Sequence, residues 1–175
     1  MLKKHIESLL KRNLGYPPTF CQSRLIRGLS DIIFSGRQDE IVLIKGFAGT
    51  GKTTMISALN KSLNSVNYHT VLLAPTGRAA KVMAGYTEMP AYTVHKKIYR
   101  QQSSSDGMGR FILDRNLHEN TWFIVDEASM ISNENNQSSI FGSGKLLDDL
   151  IEFVYSGINN HLILVGDTAQ LPPVG

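Results

Sequence analysis

The sequence predicts an α/β fold, a three-layer αβα sandwich with a parallel sheet at its centre. Three observations carry that prediction. Short apolar runs at 41–44, 70–74, 121–125 and 161–165 alternate with helical stretches near 52–66, 76–85, 93–100 and 144–156. Strand, helix, strand order of this kind makes parallel pairs joined by crossovers, with helices on both faces of the sheet. The runs are continuously apolar rather than alternating, as strands covered on both sides are. Finally, 42% hydrophobic and 19% charged residues over 175 positions suit a folded chain with a sizeable core.

The elements follow in order. Residues 2–13 read as an amphipathic helix with Leu2, Ile6, Leu9 and Leu10 on one side, ended by Gly15-Tyr16-Pro17-Pro18. A second helix begins at Thr19, where Thr19 and Gln22 have the spacing of a capping box, and runs to about Phe34 before Ser35-Gly36. These helices form an N-terminal unit, 1–36, ahead of the sheet domain, 37–175. Ile41-Val42-Leu43-Ile44 is expected to be a strand buried on both faces. The Ser-, Asn- and Gly-rich segments 101–110 and 132–144 read as surface loops. Trp122 reads as a core or sheet-edge residue.

Several classes are excluded or bounded. No apolar run approaches the roughly 18 residues of a membrane span, and Glu7 with its basic neighbours interrupts any signal-peptide core. The expected location is the cytoplasm. The single cysteine, Cys21, makes neither an internal disulfide nor a zinc cluster. A net charge of +3 tolerates a polyanionic partner without requiring one. The chain ends at Gly175 without a closing helix, so continuation in a longer protein is expected.

The chemistry concentrates at strand ends. Gly46-Phe47-Ala48-Gly49-Thr50-Gly51-Lys52-Thr53 matches G-x-x-x-x-G-K-[ST], directly after one strand and opening a helix. Glycines let backbone N–H groups crowd around phosphates, and the helix N-terminus adds a positive dipole end. Lys52 is expected on the β- and γ-phosphates, and the Thr53 hydroxyl on Mg²⁺, with Thr54 beside them. Ile124-Val125-Asp126-Glu127 is a strand ending in two carboxylates. Ligands of open α/β sheets bind at the carboxyl ends of strands. Asp126 is therefore placed to hold Mg²⁺ through water, and Glu127 to polarise an attacking water.

The set GFAGTGKTT, APTGRAAKVM, TVH, VDEASM and VGDTAQLPPVG resembles the first RecA-like motor domain of superfamily 1B DNA helicases, the RecD-like branch above all. The motifs run from about Gln22 to Gly175. The resemblance implies a RecA-like phosphate-loop NTPase that uses ATP and Mg²⁺, translocates on single-stranded DNA in the 5′–3′ sense, and works against a second RecA-like domain that this chain lacks. It also implies roles. Gln170 would sense the γ-phosphate. Gln22 would read adenine, since a side-chain amide matches N6 and N7, although capping alone also explains it. Pro75 and Thr76 correspond to the first DNA-contacting motif, with Thr76 equally a sound N-cap. Thr93 and His95 match the TxH element, beside Lys96, Lys97 and Arg100. Arg78 and Lys81 read as a solvated helix face. Relatives insert a strand-separating hairpin at 97–119; here only Phe111-Ile112-Leu113 reads as a strand, which leaves that element open.

Other classes remain at this level. A phosphate-loop kinase leaves the 166–175 segment unexplained. An ATP-switched DNA-binding scaffold would bind without unwinding. Intact Lys52, Thr53, Asp126 and Glu127 speak against a dead regulatory domain.

Overall fold

The computed structural model describes residues 2–38, 40–102, 109–131 and 140–167. In chain order the elements are α1 (Leu2–Leu14), α2 (Phe20–Ser35), β1 (Ile41–Lys45), α3 (Lys52–Ser65), β2 (His69–Ala74), α4 (Gly77–Thr87), β3 (Ala91–Thr93), α5 (Val94–Ile98), β4 (Tyr99–Gln102), β5 (Arg110–Leu113), β6 (Thr121–Val125), α6 (Leu146–Tyr155) and β7 (His161–Gly166).

Five strands form one parallel sheet in the order β1-β7-β6-β2-β3. Because side chains alternate across a strand, each strand feeds two cores. Leu72, Trp122, Ile124, Ile163 and Val165 join Leu10, Leu29, Leu59 and Met83 from α1–α4 on one face. Val71, Leu73, Phe123, Val125, Leu162 and Leu164 join Val94, Ile98, Leu150 and Phe153 from α5 and α6 on the other. The result is the three-layer α/β architecture of a RecA-like phosphate-loop domain. The helices of 1–36 share the first of these cores: Ile6, Leu14, Ile26 and Ile33 are buried with α3. Trp122 is a core residue, stacked on buried His161 with ring centroids 4.2 Å apart. Among the described residues no helix is long and apolar enough to cross a membrane.

Four expectations need correction. β1 is not buried on both faces. It is a sheet edge among the described residues, and Ile41 and Leu43 are 41% and 39% exposed while Ile44 is buried. Among the described residues, the α2–α3 side is the one that covers it. Leu2 lies outside its helix's apolar stripe, exposed at the chain's start. The helix expected at 93–100 is shorter. It stops at Ile98, since Tyr99–Gln102 pairs antiparallel with Arg110–Leu113. The strand candidate at 111–113 thus has a partner, and a two-stranded hairpin occupies the 97–119 region. Its flanks draw Gln101, Gln102 and Arg110 out of the expected loop. Phe111 stacks on Phe141 at 4.6 Å, and the Phe111 N–H donates to the Ile140 carbonyl. β3, three residues long, carried no sequence signal of its own; its pairing with β2 makes it a strand.

Candidate active site

The loop after β1 begins where the Gly46 N–H donates to the Gly166 carbonyl at 3.2 Å, tying β1's exit to the end of β7. Gly51, at φ +83°, is the αL residue that turns the chain into α3. A Cβ there would stand 2.9 Å from Gln22 Nε2, the movable end of a side chain, so it is the positive φ that calls for glycine. The Thr50 hydroxyl closes the loop on the Phe47 carbonyl at 2.7 Å. Lys52 is the first residue of α3, and its ammonium lies across the loop, donating to the Gly46 and Phe47 carbonyls at 2.6 and 2.8 Å. Thr53 follows in the first turn and is exposed; Thr54 is half-buried. Ala48 and Gly49 sit on the exposed crest, Gly49 with φ +77°. A cavity of about 460 Å³ opens against the loop, lined by Gln22, Leu43, Gly46, Gly51, Lys52 and Met55.

Gln22 reaches this loop from α2. The capping box is complete: Gln22 N–H donates to Thr19 Oγ1 at 3.3 Å, and Thr19 N–H donates to Gln22 Oε1 at 3.0 Å. The amide's other end, Nε2, faces the loop. It donates to Tyr16 Oη at 3.2 Å and reaches the Thr50 carbonyl at 3.5 Å. Capping and an approach to the nucleotide loop therefore use opposite ends of one side chain.

β6 is buried along its whole length and ends at Val125, directly before Asp126. The Asp126 N–H donates to the Leu73 carbonyl, which fixes the carboxylate's root to β2. Its Oδ1 accepts from the Glu127 N–H at 2.8 Å, and its Oδ2 accepts from Tyr86 Oη at 2.7 Å. Burial, then the bond to Asp126, push the Tyr86 phenol well above its ordinary range, so it stays a donor. Glu127 has φ +52° and an exposed side chain. A non-glycine residue in αL costs about 1–2 kcal/mol, and such strain gathers at functional sites.

Among the described residues no three His, Cys, Asp or Glu converge as a metal cage. The donors present, a hydroxyl and a carboxylate, suit Mg²⁺, which keeps several waters and takes phosphate oxygens rather than an all-protein shell. Thr53 and Asp126 would hold it.

The other expected residues lie at the same end of the sheet. Ala74 and Thr93 are register partners at the ends of β2 and β3. Pro75 and Thr76 follow β2, and Thr76 Oγ1 accepts from the Ala79 N–H at 3.2 Å, capping α4. Thr93 Oγ1 caps α5 in the same way through Lys96 N–H. His95 is half-buried, its ring 5.0 Å from Phe141 and 5.8 Å from Tyr99, and burial holds it below its ordinary pKa. Arg78 and Lys81 are exposed. Asp167 is described and half-buried, whereas Gln170 lies outside the described residues. Tyr16 and Tyr86 were missed by sequence reasoning. Neither stands in a motif: Tyr16 meets Gln22 across the turn between α1 and α2, six residues away, and only the tertiary fold brings Tyr86 to Asp126.

A family model described as "AAA domain" matches residues 31–175. The chain is 29% identical to the ATP-dependent RecD2 DNA helicase of Deinococcus radiodurans, across 98% of this chain and 23% of the helicase. It is 32% identical to the uncharacterized protein MJ1519 of Methanocaldococcus jannaschii, across 79% of this chain and 12% of that protein. It is also 29% identical to the conjugal transfer protein TraA of Rhizobium radiobacter, across 77% of this chain and 10% of TraA. The chain thus spans less than a quarter of the length of each of these relatives.

Proposed function

The chain belongs to the AAA domain family, and from that footing we propose that it is the first motor domain of a RecD-like DNA helicase, binding and hydrolysing ATP with Mg²⁺ to drive movement along single-stranded DNA. One observation carries the reading. The complete phosphate loop after β1 and the Asp126-Glu127 pair after β6 open at the same end of one parallel sheet, beside the Thr76 and Thr93 caps on β2 and β3.

In this reading each residue has a task. The amides of Gly46, Ala48, Gly49, Thr50 and Gly51 cradle phosphate oxygens, and Lys52 exchanges loop carbonyls for the β- and γ-phosphates. Thr53 and Asp126 would hold Mg²⁺, which when bound would supply neutralisation of charge on the phosphates. Glu127 accepts the proton of the attacking water. Gln22 reads adenine through Nε2, and Gln170 senses the γ-phosphate. The α4 N-terminus, with Pro75 and Thr76, takes a DNA phosphate by the dipole logic that serves the nucleotide, and Thr93 and His95 contact DNA beside Lys96, Lys97 and Arg100. The 5′–3′ polarity and cytoplasmic location belong to the same proposal. So does a second RecA-like domain of the full-length protein, which would supply an arginine across the cleft.

The test is phosphate release with and without single-stranded DNA. Residues 1–175 alone should bind Mg-ATP yet turn over poorly, because an arginine finger is worth about 10³–10⁵ in rate. The chain extended through a second motor domain should show DNA-stimulated turnover. Strong DNA-stimulated hydrolysis by residues 1–175 alone would overturn the two-domain reading.

A further inference from the structure

We propose that Tyr86 is a positioning residue for the metal-site carboxylate, holding Asp126 in the one orientation that serves Mg²⁺. This rests on the nucleotide-site reading and extends it to a residue outside every motif.

The geometry is specific. Tyr86 lies in the last turn of α4, forty positions before Asp126 in sequence, and is half-buried against the α1–α4 core. Its hydroxyl is the donor to Oδ2 at 2.7 Å, and the Glu127 amide is the donor to Oδ1 at 2.8 Å. A carboxylate's terminal torsion is broad, so one donor leaves it free to swing. Two donors, one on each oxygen and from different elements, fix its plane. Each oxygen keeps acceptor capacity for a metal-bound water, since an ionised carboxylate offers about four lone-pair sites. The Glu127 donor is local and moves with the strand end. Tyr86 is the donor that comes from elsewhere in the fold, through a ring packed in the core. Outer partners of this kind orient metal ligands and tune their affinity.

The experiment is Tyr86→Phe, which keeps the packed ring and deletes the donor. Binding of a fluorescent adenine nucleotide is titrated with Mg²⁺ and repeated in EDTA, on parent and variant. Equal affinity in EDTA is expected, with about tenfold more Mg²⁺ needed for half of the metal-dependent gain, the low end of the loss when an outer partner is removed. In an Asp126→Asn background, Tyr86→Phe should add nothing. A merely structural tyrosine would weaken binding equally with and without Mg²⁺ and lower the melting temperature; that outcome overturns the proposal, as does an unchanged Mg²⁺ midpoint. A parent chain whose nucleotide affinity ignores Mg²⁺ would overturn the nucleotide-site reading along with it.

Discussion

Gln22 offers the sharpest separation of two roles carried by one side chain. Its Oε1 completes the capping box of α2, and its Nε2 points at Tyr16 and the phosphate loop. Gln22→Glu preserves the cap, because glutamate serves the third helical position as well as glutamine does. It replaces the Nε2 donor with an acceptor. Gln22→Ala removes both. The alanine variant loses the Thr19 N–H capping bond along with the Nε2 contacts; the capping bond alone is about 0.5–1.5 kcal/mol, a fall of roughly 1–6 °C in melting temperature for a chain of this size. The glutamate variant should melt with the parent. Both should lose adenine preference, and one hydrogen bond of discrimination corresponds to about a 2- to 13-fold drop in the ATP-to-GTP affinity ratio. Competition binding of ATP against GTP, with thermal unfolding alongside, reads the two effects separately. If both variants keep the parent's ratio while only alanine lowers the melting temperature, Gln22 is a cap and nothing more.

Lys52→Ala should weaken Mg-ATP binding about 10- to 150-fold, from a charge-assisted contact of about 1.5–3 kcal/mol, with unchanged far-ultraviolet dichroism; equal affinity by titration calorimetry would remove the loop from the site. Gly51→Ala should destabilise by about 1–2 kcal/mol from its φ of +83° alone, visible as a lower urea midpoint, and should also weaken nucleotide binding. Burial keeps His161 below its ordinary value of 6.5, against an opposing Arg37 backbone hydrogen bond. The folded state favours the neutral ring, so its contribution is whole above about pH 6.5 and falls as acid charges the unfolded chain first. The melting temperature should drop between pH 7 and 5, and His161→Phe, which keeps a ring against Trp122, should flatten that slope; an unchanged slope would acquit His161. Tyr86→Phe is tested by its Mg²⁺ midpoint.

How far the sequence could be read depended on whether a feature was local. The phosphate loop was legible because its glycines, lysine and threonine are consecutive and flanked by a strand and a helix. The capping box was legible for the same reason: both of its bonds span three residues, and both form. The hairpin was not, because Tyr99–Gln102 is polar after its first residue and continues a helical stretch without a breaker. Only pairing with Arg110–Leu113, and the bond from Tyr99 Oη to buried Asp149, turns it into a strand. The burial of β1 was misjudged since an apolar run reports what a strand can bury and says nothing of whether a layer covers it. Tyr86 acts across a tertiary contact and left no pattern at all, and Tyr16 sits in the turn before α2 without a motif to mark it.

The position of Tyr86 also bears on how the two halves of the sheet's end communicate in the proposed motor. Nucleotide residues stand on β1 and β6, and the Thr76 and Thr93 caps stand on β2 and β3. β6 and β2 are neighbours, paired from His69 with Thr121 through Leu73 with Val125, so the two sites share a wall. α4 crosses it. The helix starts at the Thr76 cap and carries Tyr86 in its final turn, bonded to Asp126. If the eleven-residue helix moves as one body, a DNA phosphate taken at the Thr76 end would shift the phenol that orients the carboxylate. Coupling of this kind is reciprocal. If α4 transmits it, single-stranded DNA should alter the Mg²⁺ requirement of nucleotide binding in the parent chain, and Tyr86→Phe should abolish that effect while leaving DNA affinity in the absence of nucleotide unchanged. A DNA effect on Mg²⁺ that persists in Tyr86→Phe would assign the coupling to the strands instead of the helix.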